Sequence, residues 1–498
     1  MVRRSLFAGI AASTFTAPLV IAPQSVAATS APPPPVVVEV TRFPLGPQGK
    51  TAATLTRVGP GVDLYKYTHG VASDGWTVSV IVNRGREYGT LAMAESKAQE
   101  VIAAGFEPRV EPINQRAVAD APARIAGYTV RVGMFGPTEK KLATDLQKEL
   151  ADAQIPAKVD FLGDDGADTA GGPWDLRVVT VDPRRFGGAF EASLGKSVAA
   201  RETTTSMAKA RKAIAAINGG FFNIHAPAEM RGEPVGISVV AGKLLSEGVS
   251  GRTALVLRGK KAQVTELSAT VRLNTPNGGH HRVDGVNRPA VEADRIMQYT
   301  AEWGVATPAG DGTEAVLDAA GTVTELRPRG GKVPAGGSVI QGVGEGVAWL
   351  EQNVAVGATL KVTTSVVDLR AKRRITLDPT THIVGGGIAV VRNGKTWINA
   401  KTNGHASLNM LVRRHPRTLA GVGRGGRLIL VTVDGRKPES SVGATMHEAA
   451  RLMLWLGARE AINLDGGGST TMVVGNKVRN RPSDGRERTV GDALLVTP

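Results

Sequence analysis

The alternation of apolar and polar positions along residues 76–83 (WTVSVIVN) predicts a strand. Helical spacing across 91–104 (LAMAESKAQEVIAA) predicts a helix that stops at Gly105. Residues 107–113 read as extended. The order then repeats, with a strand over 128–135 (YTVRVGMF), a helix from about Glu139 to Ala153 and a short strand at 157–162. That is a β-α-β-β-α-β unit, the ferredoxin-like arrangement. From Pro173 to Pro498 the pattern changes to short β-rich runs between glycine-containing turns, with helices expected near 203–213 and 445–456. The expected fold class is therefore α+β: an antiparallel-rich C-terminal domain with a smaller ferredoxin-like βαββαβ N-terminal domain.

Boundaries follow from composition. Arg3 and Arg4 precede an apolar run from Leu6 to Ala22, and small residues follow at Ser25, Ala27 and Ala28. This order reads as a secretory signal over 1–28, too short and too interrupted for a membrane span. No transmembrane span is expected elsewhere, and the mature chain should be secreted or cell-wall associated. Residues 29–60, rich in Ala, Pro and Gly, read as a linker. Residues 61–163 hold the small unit, 164–172 (DDGADTAGG) form a second linker, and 173–498 make the C-terminal domain. Inside it, 271–350 reads as a loop-rich elaboration near a binding site, with NGGHH at 277–281 and DGVNRP at 284–289.

The 498 residues include no Cys, which removes disulfides, thiolate nucleophiles and Cys-ligated zinc. Lys and Arg number 60 against 45 Asp and Glu, a net charge of +15 that favours an anionic partner. No nucleic-acid-binding signature accompanies that charge. For an exported chain, peptidoglycan or an anionic wall polymer is the expected partner, and nucleic acid is not.

Residues 445–474 carry the densest chemistry. Thr445 and Glu448 form a capping box, and Gly457 is placed to stop the helix. Apolar Ala461, Ile462 and Leu464 then deliver Asp465 at the end of a short strand, followed by Gly466, Gly467, Gly468, Ser469 and Thr470. A glycine triplet can turn its N–H groups toward an anion, and the two hydroxyls add donors. It is no Walker loop, because the Gly-Lys-Ser/Thr ending is absent. A second run, 415–436 (HPRTLAGVGRGGRLILVTVDGR), offers Arg417 and Arg436 for phosphate oxygens and Asp434 as a carboxylate, although Asp-Gly is also a common turn pair. In AIAAINGGFFN (213–223), Asn218 could orient a sugar hydroxyl, and Phe221 or Phe222 could stack on the ring or fill the core. The run 480–495 (NRPSDGRERTVGDALL) puts Arg486 and Arg488 in a loop before a final strand.

Taken together, NGGFF, HPRT, VDGR, NLDGGGSTTMVV and N-x-PSDG-x-ER resemble the phosphodiester glycosidase family, which includes the N-acetylglucosamine-1-phosphodiester α-N-acetylglucosaminidases. The resemblance covers about 173–498 and implies hydrolysis of the bond between a sugar anomeric carbon and a phosphodiester. DGVNRP, YTAEWGVAT and HIVGGG look like further family segments, and Leu419 departs from the family's more usual Ala. VRVGMF and the helix after it resemble SPOR-like domains, which implies glycan binding by the N-terminal unit.

The expected assignments follow from the chemistry of a sugar-phosphodiester substrate. Asp465 and Asp434 supply the carboxylates, with Glu448 as a third candidate that its capping box already explains. Arg417, Arg436, Ser469, Thr470 and the backbone of Gly466, Gly467 and Gly468 hold the phosphodiester, and Asn218 meets the sugar. No cofactor and no metal ligand set are assigned, although acidic loops leave room for a calcium ion. Two alternatives remain open. A metal-dependent phosphodiesterase would cut the P–O bond, but the eight histidines are scattered. A non-catalytic protein would bind wall polymer through charge alone.

Overall fold

The computed structural model describes Met1 and residues 34–166, 170–405 and 407–498. The expected secretory signal over 1–28 lies outside the described residues apart from Met1, as do Pro32 and Pro33 of the first linker's proline run.

Nine antiparallel strands form the main sheet. In spatial order they are Val36–Val37, Thr51–Gly59, Val62–His69, Trp174–Val181, Leu428–Val433, Arg417–Gly423, Ala458–Asn463, Ala389–Arg392 and Lys395–Thr396. Its central strands are apolar on both sides because both faces are covered. On one face lies the helix Met446–Trp455, whose Ala449, Ala450, Leu452 and Met453 pack on Leu419, Ile429, Val431 and Ala461. On the other lies a five-stranded sheet in the order Ala189–Ser193, Ala493–Thr497, Ala215–Asn218, Met472–Val474 and Lys477–Val478. Ala420, Leu430 and Ile462 point into that second layer and meet Phe190, Ile217, Met472 and Leu494. The alternation of Leu419 and Ala420 between two cores is the period-2 geometry of a strand buried on both sides.

The expected capping box is present. The Thr445 hydroxyl accepts from the Glu448 N–H, the Glu448 carboxylate accepts from the Thr445 N–H, and Gly457 takes φ +87° after the last turn.

Two stretches differ from expectation. Thr51–Gly59 and Val62–His69, expected in the linker and at the start of the small unit, are instead strands of the main sheet. Val62–His69 pairs in full register with Trp174–Val181, from Val62↔Val181 to His69↔Trp174. Thr51–Gly59 and Val62–His69 also pair with each other as a hairpin, and the latter alternates buried and less buried positions, but the Ala-, Pro- and Gly-rich composition around them reads as linker. Residues 271–350, expected to be loop-rich, contain a five-stranded sheet in the order Gly285–Val286, Ile296–Thr300, Ser338–Gly342, Thr313–Leu317 and Val323–Pro328. The helix Glu345–Asn353 follows it. These strands hold their place through a core in which Ile296, Ala315, Leu317 and Ile340 pack with Ala254, Leu267 and Ile383 of neighbouring strands.

The small unit spans Trp76–Val80, Leu91–Ala103, Pro108–Gln115, Arg124–Phe135, Lys140–Asp152 and Ala157–Phe161. Its main strands lie side by side in the order Ala157–Phe161, Trp76–Val80, Arg124–Phe135, Pro108–Gln115, all antiparallel. Arg413 joins it to the C-terminal part through Asp160 (Nη1 to Oδ2, 3.2 Å).

Candidate functional site

Five strand ends meet at one end of the two central sheets. Asn218 ends Ala215–Asn218 opposite Ala493, Arg417 begins its strand opposite Val433, and Asn463 ends its strand opposite Leu419. The segments near residues 218, 417, 433, 463 and 492 are thereby brought together, though they are scattered along the chain.

Asn218 is the tie between them. Its Nδ2 donates to the Asp465 carbonyl (2.8 Å), and its Oδ1 accepts from the Thr418 hydroxyl (2.7 Å) and the Thr471 N–H (3.1 Å). Expected to meet a sugar hydroxyl, this fully buried side chain is instead committed on both atoms to the scaffold.

Asp465 follows Leu464 out of the strand. Its N–H donates to the Gly219 carbonyl (3.0 Å), and its Oδ1 accepts from the Gly466 N–H (2.8 Å). Burial pushes its carboxyl up to about 6, opposed by the Ser469 hydroxyl, the Gly466 N–H and the Arg488 charge.

A second carboxylate stands beside it. Asp492 precedes the last strand and lies against the Cα of Gly219, where any Cβ would overlap the carboxylate. The Gly219 N–H donates to the Asp492 carbonyl (2.9 Å). Burial pushes the Asp492 carboxyl up to about 7; the Gly220 N–H opposes this and the negative charge of Asp465 adds to it. The sequence reading missed Asp492. The available signal was a carboxylate at the head of an apolar strand (GDALLV), the mirror image of Leu464–Asp465 at a strand's end.

The glycine triplet serves mainly as a place of close approach. The Gly467 N–H donates to the Pro416 carbonyl (2.9 Å), while those of Ser469 and Thr470 donate to Gly466 and Gly467. With the Gly466 N–H on Asp465, two of the three glycine amides expected to face an anion are already engaged. The reason for glycine is instead steric. A Cβ at Gly466 would stand 2.6 Å from the Pro416 carbonyl oxygen, and one at Gly468 would overlap Arg488 and Asp484. Ser469 and Thr470 are both buried, and among the described residues neither hydroxyl has a hydrogen-bond partner.

Arg436 and Arg488 flank this loop. Arg436 is exposed, takes φ +62° and sets its guanidinium against Gly467, where a Cβ would be 3.1 Å from Nη2. Arg488 lies against Gly468 and donates to Asp484 from Nε (2.9 Å) and Nη2 (2.6 Å).

Three other expected residues are turned away from the site. Arg417 passes beneath Gly466, but its guanidinium donates to the carbonyls of Ala444 (2.8 Å), Met410 (2.9 Å) and Arg413 (3.3 Å). Burial pushes it down to about 9, with Glu448 opposing and Arg436 reinforcing. Asp434 accepts from Asn480 Nδ2 (3.0 Å) and the Arg481 N–H (2.9 Å), holding that loop in place. Burial is the main cause that raises its carboxyl to about 6. Glu448 is buried in a two-oxygen pairing with Arg414 (Nε 2.9 Å, Nη2 2.6 Å) as well as in its capping box. Buried cations and anions need such partners, and these three have found theirs within the fold.

Phe222 fills the core, whereas half-buried Phe221 stacks on His405 with ring centroids 4.5 Å apart. Among the described residues no group of three or more His, Asp or Glu side chains is arranged to hold a metal ion. A cavity of about 790 Å³ lies away from the carboxylates, between the small unit and residues 408–413 and 445–451.

Over 111 residues the chain is 40% identical to the SPbeta prophage-derived uncharacterized protein YomE of Bacillus subtilis, covering 22% of this chain and 16% of that one. Over 117 residues it is 34% identical to the N-acetylglucosamine-1-phosphodiester alpha-N-acetylglucosaminidase of Bos taurus, covering 22% of each. The chain thus spans about a fifth of the length of these curated relatives. Among solved structures, a supposed exported protein from Burkholderia pseudomallei superposes with a TM-score of 0.81 at 30% identity, covering 92% of this chain and 98% of that one. Asp465, Asp492, Arg436 and Arg488 all fall in the stretch that matches a family model, and residues 311–497 are a domain of the phosphodiester glycosidase family.

Proposed function

We propose that the chain is a hydrolase that cleaves the bond between a sugar anomeric carbon and a phosphodiester, with N-acetylglucosamine 1-phosphodiesters as the first class to test. The observation that carries this reading is the carboxylate pair Asp465 and Asp492 on either side of Gly219, beside the guanidinium groups of Arg436 and Arg488. Both carboxyls are raised, chiefly by burial, and the Asp465 charge raises Asp492 further, so near neutral pH the pair holds a proton that the ordinary carboxylate range would have released.

That state suits the reaction. The ionised member stabilises positive charge at the anomeric carbon or takes a proton from the attacking water, and the protonated member donates to the departing phosphate oxygen. A phosphodiester leaves readily, so charge stabilisation at carbon is the larger need. Arg436, and Arg488 on exchanging Asp484 for substrate, would hold the phosphate through paired N–H donors. Asn218, Arg417, Asp434 and Glu448 act as positioning residues through the contacts already described.

Hydrolysis in oxygen-18 water tests the bond cut. Heavy oxygen in the sugar is the expected result, and heavy oxygen in the phosphate would overturn the assignment in favour of P–O cleavage.

We also read the chain as exported, on the basic-then-apolar order of residues 1–28 and on the description of the Burkholderia relative. The 76–161 unit reads as a ferredoxin-like, SPOR-like module for peptidoglycan or an anionic wall polymer, supported by VRVGMF and its strand–helix order. Co-sedimentation of the full chain with purified peptidoglycan tests that role, and recovery of the chain in the supernatant would sink it.

A further inference from the structure

Arg252 opens the strand Arg252–Arg258, whose register against Thr381–Gly385 sets Ala254 opposite Gly385. The carbonyl of its neighbour Thr253 accepts from the Gly386 N–H (3.1 Å), and the Thr253 N–H donates to Asn403 Oδ1 (2.8 Å). The Gly387 N–H in turn donates to the carbonyl of Asn463 (3.0 Å), two residues before Asp465. The same glycines support the opposite wall. Gly385 leaves no room for a Cβ on Gly220, and a Cβ on Gly387 would come within 2.7 Å of the Phe221 ring. A short run of contacts therefore leads from the carboxylate pair, through Gly219 to Phe221, to the Phe221–His405 stack. Arg252 stands beside that stack, and burial together with its charge pushes His405 down to about 4, so the ring is neutral.

Arg252 differs from other desolvated guanidinium groups of the chain. Arg288 sits between Glu233 and Glu247, and Arg417 is satisfied by carbonyls. Among the described residues Arg252 meets no carboxylate or carbonyl, and its Nε is buried without an acceptor. Its guanidinium lies against Gly404, where a Cβ would stand 2.9 Å from Nη2. A half-desolvated guanidinium without a counter-charge is unfavourable, and an arriving oxyanion relieves it. A flat ring next to it offers a face for a sugar.

We propose that Arg252, with the Phe221–His405 platform, forms a subsite for an oxyanion carried on the sugar, so that the preferred substrates are acidic sugars. The word substrate rests on the phosphodiester-cleaving reading; the binding does not. The shared chemistry is that of a carboxylate or a phosphate group, and the fork of guanidinium donors fits either.

Calorimetric titration of the full chain with methyl glucuronide, glucose 6-phosphate and methyl glucoside tests this. At least one acidic sugar should bind roughly ten- to hundred-fold more tightly than the neutral one, and the two acidic arms tell carboxylate from phosphate. Equal binding of acidic and neutral sugars, or no binding of any, overturns the proposal without recourse to a variant. Arg252→Gln should abolish the preference while its thermal midpoint stays near that of the parent, and a preserved preference also overturns it. Asp465→Asn should keep the preference and lose turnover. A parent chain that shows the preference but hydrolyses no sugar phosphodiester would overturn the activity and leave the subsite standing.

Discussion

Asp465 and Asp492 are joined through one glycine: the Asp465 N–H donates to the Gly219 carbonyl, and the Asp492 carboxylate occupies the space a side chain at Gly219 would need. Each carboxyl lies above its ordinary range, chiefly through burial, and the Asp465 charge raises Asp492 further.

The pH dependence of catalysis should follow from that pair. We expect a bell-shaped kcat/KM profile whose flanks lie near 6 and 7, the values of Asp465 and Asp492, belonging to the two groups jointly. Asp465→Asn and Asp492→Asn should each lower kcat by about 10²–10⁴. Steady-state kinetics across the profile checks this, and an unshifted bell in Asp492→Asn would remove that residue from the chemistry.

Stability should respond to pH with a definite sign. Because folding raises the Asp492 carboxyl to about 7, the folded state holds its proton more tightly than the unfolded chain does. The stability this group contributes is full below the ordinary carboxylate value of about 3.9 and is lost as pH rises through about 7. Asp492→Asn should therefore raise stability on the alkaline side by roughly 1–3 kcal/mol and change it little in acid. Thermal melts at both extremes measure the difference; equal shifts at both would contradict it.

Glu448 is assigned to the scaffold. Glu448→Gln leaves the buried Arg414 guanidinium short of its charge partner and weakens the capping box, so unfolding should become easier by about 3–5 kcal/mol. The kcat of the folded fraction should remain within a few-fold of the parent. Denaturant titration paired with activity separates the two roles, and a stable but inactive variant would return Glu448 to the chemistry.

Arg436 should act through phosphate binding. Removing its exposed guanidinium in Arg436→Ala should cost about 1.5–3 kcal/mol of substrate interaction. The fold should be unaffected, since no hydrogen bond of the scaffold passes through that side chain among the described residues. Competition by inorganic phosphate, weaker in the variant than in the parent, is the direct measurement.

The extra hairpin predicts where the chain can be cut. A fragment starting at Pro173 loses Thr51–Gly59 and Val62–His69 and turns Trp174–Val181 into a bare edge. It should aggregate, whereas a chain starting at residue 34 should elute as a single species in gel filtration.

Much of the local structure was legible in the order of residues. The capping box at Thr445–Glu448, the apolar run that ends at Asp465 and the small unit's sequence of strands and helices all depend on neighbours a few positions apart, which is the range over which periodicity speaks. Residues 51–69 pair with each other as a local hairpin that the linker-like composition hid, and its place in the main sheet was illegible because Val62–His69 joins a strand that begins at Trp174.

For the site, the residue types pointed to carboxylates and guanidinium groups near Asp465, but types do not say which way a side chain turns. Arg417 and Asp434 stand at the expected strand ends and reach away from the loop, since burial obliged each to find partners in the surrounding scaffold. Asp492 went unnoticed because its meaning comes from Gly219, on an adjacent strand but distant in the chain. Short-range pattern therefore determined the elements and the chemistry on offer. The choice of which groups share a cavity fell to pairing between distant segments and to the packing of two sheets, because pairing joins Ala215–Asn218 to Ala493–Thr497 and only the stacked layers bring the end of Ala458–Asn463 beside them.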